Sequence, residues 1–174
     1  MINKYLYVAV LLLAVVISGC ARSSASAPVA AGGEKVEIVL LSHRGDPATM
    51  NERQYQFRVE VGEWMERDLL NQLRRSGYET RQITSRSDFT PKADRYLLEV
   101  TIDGYNPGSS AARIVVGFGA GAASLDNSYA LSAGQQPLLT WSDGVGTSQH
   151  WTRLPRTLNE RAVKKLTEYL RSIK

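Results

Sequence analysis

The chain has 174 residues, 43% of them apolar, with 21 Lys and Arg against 17 Asp and Glu for a formal net charge of +4, and a single cysteine. Its basic residues are interspersed with acids rather than gathered into a block, which argues against a nucleic-acid-binding surface. One cysteine cannot form an intrachain disulfide, so a core alone must hold the fold.

Lys4 is followed by an apolar run from Tyr5 to Ile17 and then by Ile17-Ser18-Gly19-Cys20. The run is shorter than the roughly 20 residues that span a bilayer, and small residues lead directly into the only thiol. This is the pattern of a lipoprotein signal peptide with its lipobox. Residues 1–19 are therefore expected to be removed and Cys20 to carry diacylglycerol, its new amine a further fatty chain such as palmitate. Loss of Lys4 lowers the formal charge from +4 to +3. Ala21, where an Asp would signal retention at the inner membrane, points to the outer membrane and its periplasmic face. Residues 20–34 are rich in Ala, Ser, Gly and Pro and read as a flexible tether. Residues 35–174 have the size of a single periplasmic domain.

Val36 to Leu41 is a β-branched run apolar on both faces, which suits a central strand. Asp46-Pro47 ends it. From about Met50 or Gln56, Phe57, Val61, Trp64, Met65, Leu69 and Leu73 recur at helical spacing, with Arg74, Arg75 and Gly77 closing the helix. Tyr78 to Ile83 then returns beside the first strand as a β-α-β unit. Tyr96, Leu98, Val100 and Ile102 alternate with Leu97, Glu99 and Thr101, giving a strand with one apolar face that Gly104 to Gly108 should end. Leu125 to Leu131 and Leu138 to Trp141 flank a Gly134 turn and read as a hairpin. Thr157-Leu158-Asn159-Glu160 is a capping box that should open a C-terminal helix carrying Leu158, Ala162, Val163, Leu166, Leu170 and Ile173. The expected architecture is α/β in the α+β sense. It has a mixed β-sheet of about five strands, packed by a long helix after strand one and by a C-terminal helix.

Gly117, Gly119 and Gly121 imitate a dinucleotide fingerprint, but the residues that follow alternate where a helix must face the pyrophosphate. No nucleotide or other cofactor is expected. The segment is either a membrane-inserting hairpin or, the favoured reading, a small-residue stretch bending closely over neighbouring backbone. His43 and His150 have no metal-ligand spacing, and Ser42, His43 and Asp46 lie too close in sequence to form a triad, so neither a metal nor an enzymatic activity is expected. Tyr105, His150, Trp151 and Arg153 fall between the periodic segments. Tyr105, Trp151 and Arg153 are the candidate binding residues, because aromatic and Arg side chains there are frequent recognition anchors.

The run Gly108 to Leu131 centred on Arg113-Ile114-Val115-Val116-Gly117-Phe118-Gly119-Ala120-Gly121 resembles a bacterial lipoprotein family known as domain of unknown function 4410. The strand to Trp141 and the preceding Ala93 to Val100 share that resemblance. The order of elements is similar, more distantly, to the α/β domains of curli-secretion and LpoB-type lipoproteins. The resemblance carries no active site. It names no role; the lipobox and the lack of any catalytic constellation lead to the expectation of a lipid-anchored, non-catalytic protein in binding or envelope maintenance, with an envelope protein or peptidoglycan as partner. The alternative is an oligomeric component of an export or assembly machine.

Overall fold

The computed structural model of the chain describes residues 27–28, 35–108 and 122–173. Five strands form one mixed sheet in the order β2-β1-β3-β4-β5: β1 (Glu37–His43), β2 (Glu79–Ile83), β3 (Arg95–Asn106), β4 (Ala123–Ser132) and β5 (Pro137–Thr147). β1 is parallel to both β2 and β3, and the β3-β4-β5 meander is antiparallel. Two helices, α1 (Glu52–Arg75) and α2 (Arg153–Ser172), cover one face. The expected α+β architecture is therefore the one observed.

The first helix is delimited at both ends by its own sequence. Asn51 accepts from the Gln54 amide at 2.9 Å, while the Gln54 side chain accepts from the Asn51 amide at 3.0 Å, so two orphan donors are satisfied reciprocally. At the other end Gly77 adopts φ +97°, and the Gly77 and Tyr78 amides donate back to Arg74 and Leu73. This Schellman turn needs the left-handed conformation that glycine adopts without a Cβ penalty. Between them Val61, Met65, Leu69 and Leu73 are buried as the spacing predicts, whereas Phe57 and Trp64, at the margin of the stripe, are only half-buried.

Gly62 serves a contact rather than the helix. A methyl group there would sit within 2.5 Å of Arg44 Cζ and 2.7 Å of Arg44 Cδ. The bare backbone lets the Arg44 side chain lie across α1, donating to Ser42 Oγ at 2.6 Å and to Glu66 Oε1 at 2.8 Å.

Three elements differ from expectation. Leu97, which alternation places on the face of Glu99 and Thr101, is fully buried in a second small cluster with Val39, Leu41 and Ile83. The cause is the 84–94 connection, which crosses the sheet opposite the helices and lays Phe89 on that cluster, so β1 is covered on both faces. Arg86 of this connection is ion-paired with Glu99 and reaches the Gly134 and Gln135 carbonyls. β3 does not stop at Gly104. A register shift between Ile102 and Gly104 is absorbed, and Tyr105 and Asn106 continue pairing with Leu125 and Ser124. Arg58 holds this irregularity by donating to the Ile102 and Asp103 carbonyls, both at 2.8 Å.

The third difference is the start of α2. The capping box predicted at Thr157 is not used: the helix begins at Arg153, one turn earlier, and Thr157 lies inside it. Pro155 is tolerated because amides in a first helical turn have no intrahelical acceptor, and the added turn buries Leu154 completely. Asn159, part of the expected capping motif, is instead fully buried between the helices, donating to Met65 O at 3.0 Å and Asp68 Oδ2 at 2.8 Å.

Candidate functional site

Both helices start at the end of the sheet where β1 and β5 finish, and both end beside the starts of those strands. The candidate binding residues gather at the first of these ends. Trp151 lies in the turn before α2, half-buried and packed against the main core. Arg153 is the first residue of α2 and is exposed. Tyr105 is in β3, half-buried on the helix-covered core. Sequence periodicity leaves all three between elements; the structure leaves only Trp151 in a turn. The reason for Tyr105 is the continued pairing of β3, and for Arg153 the early start of α2.

Trp151 is the centre of a small stack that the sequence only half reveals. Its ring meets Trp64 of α1 edge-on, with centroids 6.4 Å apart and planes at 70°. His150 lies against it at 5.9 Å and 28°. The Arg156 guanidinium sits 5.8 Å from the Trp64 centroid, within the range of a cation–π contact. Spacing puts Trp64 in the core stripe; its half-exposed ring instead joins α1 to the α2 entry. Such a cluster offers π faces, a cation and hydrogen-bonding edges, as protein and glycan recognition use. Burial, and then the negative charge of Glu60, raise the Tyr105 phenol above its ordinary pKa, so it stays a neutral donor and acceptor at physiological pH.

The polar residues elsewhere have local partners. Ser42 Oγ accepts from Arg44, His43 lies 3.9 Å from Glu99, and the Asp46 side chain accepts from the Ala48 amide. These three therefore point to different partners and form no relay. Asp143 accepts from its own neighbour Gly144 and from Arg161 at 3.1 Å. Among the described residues no group of three or more His, Cys, Asp or Glu could hold a metal, and no helix is long and apolar enough to cross a membrane. Cys20, Gly117, Gly119 and Gly121 lie outside the described residues.

The arrangement defines a two-layer α+β domain with an aromatic and arginine cluster at one end. The family is shown by its sequence: a model described as Domain of unknown function (DUF4410) matches residues 26–150, and the chain belongs to that family. No curated protein aligns significantly with it. Among solved structures, a single-substitution variant of the PelC dodecamer from Paraburkholderia phytofirmans is similar at 16% identity with a TM-score of 0.53, covering 82% of this chain and 94% of that one. The lipoprotein GNA1162 from Neisseria meningitidis is 13% identical with a TM-score of 0.41, covering 76% of this chain and 99% of that one. Protein XCC0632 from Xanthomonas campestris is 13% identical with a TM-score of 0.38, covering 79% of this chain and 82% of that one. At this identity the PelC likeness speaks for the fold alone.

Proposed function

We propose that the protein is a lipoprotein anchored through Cys20 to the periplasmic face of the outer membrane, where its domain binds an envelope protein or peptidoglycan and performs no catalysis. The observation that carries the reading is polarity along the fold. Among the described residues the segment nearest Cys20, at Ala27, is hydrogen-bonded to Ser76 O at the end of α1, while the Trp151 cluster stands at the opposite end of the helices. The 20 residues of α2 separate the two ends by about 30 Å. A tethered domain built this way presents its aromatic cluster away from the leaflet.

The test is photocrosslinking in live cells from a benzoyl-phenylalanine introduced at Arg153, with identification of the captured neighbour. Trp151→Ala is expected to lower the adduct yield about tenfold, the loss of a hot-spot aromatic; an unchanged yield refutes the assignment of the site. Anchoring is tested separately. Cys20→Ser should leave an uncleaved precursor, and unaltered processing and fractionation would overturn the placement.

A second reading, a ring-forming component of an export or assembly machine, is favoured by one feature. β5 is an edge strand of eleven residues without a single Lys or Arg, the kind of edge that natural sheets usually protect. The related fold of PelC is found in a dodecamer. Native mass spectrometry of the delipidated protein separates the two readings: a monomer at micromolar concentration counts against the ring.

A further inference from the structure

We propose that the end of the domain from which the N-terminal segment departs is itself a docking face for an anionic phospholipid leaflet, seated by Leu138 and Ile173 and by Lys35, Arg74, Arg75 and Arg171. The proposal rests on acylation of Cys20 and adds to it the surface that meets the lipid.

Three observations converge on this end. The first is the tether. The Ala27 amide donates to Ser76 O at 2.6 Å, and Ala27 packs against the main core, its methyl 3.6 Å from where a Gly77 Cβ would stand. Seven positions separate Ala27 from Cys20, and a fully extended chain of that length spans at most about 25 Å. An acylated sulfur in the leaflet therefore holds the end of α1 close to the headgroups, whatever path the intervening residues take.

The second is apolar exposure. Among the described residues, the large hydrophobics left exposed are Leu138 at 41% and Ile173 at 48%. Leu138 follows the β4–β5 turn, beside the Ser132–Pro137 pair, and Ile173 caps the C-terminus of α2. One belongs to the sheet layer and one to the helix layer, yet both lie at the tethered end. Neither contributes to the core, and both would gain by entering the acyl boundary.

The third is charge. Lys35, Arg74, Arg75 and Arg171 are exposed at the same end. The helix dipoles account for basic residues in the last turns of α1 and α2, but not for Lys35 at the foot of β1, nor for the two apolar side chains. Glu37, Glu79 and Asp94 line one pocket with Lys35, Lys92 and Arg95, and Glu168 pairs with Lys164, so Arg74, Arg75 and Arg171 keep the balance basic. Basic side chains on the α1 and β1 side of this end, with Arg171 and the two apolar side chains on the α2 and β5 side, fit an anionic leaflet.

The acylated chain supplies its own probe, because once Cys20 is modified an introduced cysteine is the only free thiol. Leu138→Cys, Ile173→Cys and, at the opposite end, Gln149→Cys are purified from a lipoprotein-processing host, labelled with nitrobenzoxadiazole and reconstituted in vesicles of phosphatidylethanolamine and phosphatidylglycerol. Labels at 138 and 173 are expected to resist aqueous iodide about threefold better than the label at 149. Each basic residue near an anionic surface contributes about fivefold to docking, so Arg74→Ala, Arg75→Ala and Arg171→Ala together should weaken it about a hundredfold and remove the protection. Equal quenching at the three sites in protein that floats with the vesicles overturns the docking face and leaves the anchor standing. Protein that does not float, with a mass lacking fatty chains, overturns both. Protection that persists in dilute detergent means a second copy covers the face, and also overturns the proposal.

Discussion

Replacing Gly62 by Ala tests why a glycine occupies the buried side of a long helix. Ala is better than Gly in a helix interior by about 1 kcal/mol, so propensity alone makes the substitution stabilising. The new methyl, however, falls on Arg44, whose side chain bridges Ser42 and Glu66. The Arg44 and Glu66 side chains are 17% and 13% exposed, so solvent replaces their hydrogen bond poorly. Displacing a charge-assisted bond of this kind costs about 2–3 kcal/mol. Gly62→Ala should therefore destabilise the native protein by about 1–2 kcal/mol. In an Arg44→Ala background, where the three nearest atoms to the new methyl are gone, the same substitution should stabilise by about 1 kcal/mol. The measurement is urea unfolding followed by Trp fluorescence for the four members of the cycle, with m unchanged. A Gly62→Ala effect of the same sign and size in both backgrounds would refute the packing argument.

Thr157→Ala should change stability by less than about 0.5 kcal/mol, because Thr157 is inside α2; a loss near 1 kcal/mol would restore it as a cap. Leu158→Ala, one residue on and fully buried, should cost about 2–5 kcal/mol in the same assay. Gly77→Ala places a Cβ at φ +97° and should cost about 1–2 kcal/mol, read as a lower urea midpoint. Burial pushes the Tyr129 phenol from 10.0 up to about 12. A raised folded pKa favours the protonated form, so its contribution is intact below pH 10 and lost as pH rises from about 10 to 12. The midpoint of the native protein should fall through that window more steeply than that of Tyr129→Phe, and parallel curves would contradict the burial.

The elements legible in the sequence are those whose burial repeats. The Val61-Met65-Leu69-Leu73 stripe and the β4–β5 alternation each report one face repeatedly, and both stand, as does the β-α-β return, which follows from β2 coming directly after the helix. Leu97 escapes such a reading because its cover comes from a connection whose only large apolar side chain is Phe89; a single residue has no period. The start of α2 reads a turn late because a good local capping motif at Thr157 competes with the tertiary burial of Leu154, and burial prevails. Tyr105 reads as lying beyond β3 because Gly104 looks like a stop, while cross-strand pairing carries the chain past it. The Trp64–Arg156 contact joins two helices 92 residues apart, a distance over which no local pattern speaks. Trp151 alone among the candidates lies off every periodic face in both the sequence and the structure.

The double covering of β1 also shapes how the chain reaches this state. Its ladder to β3 joins residues as far apart as Glu37 and Arg95, and its ladder to β2 spans the whole of α1, so closure entropy precedes any reward from those contacts. The β3-β4-β5 meander is nearer neighbour to neighbour, and its β4–β5 turn occupies only residues 133–136. Topology of this kind predicts an order of assembly: the hairpin should form early, and the innermost strand should be the last to gain amide protection in pulse-labelled refolding. Until it does, a bare apolar ribbon stays open to intermolecular pairing, so the slow step is also the interval of greatest exposure to aggregation.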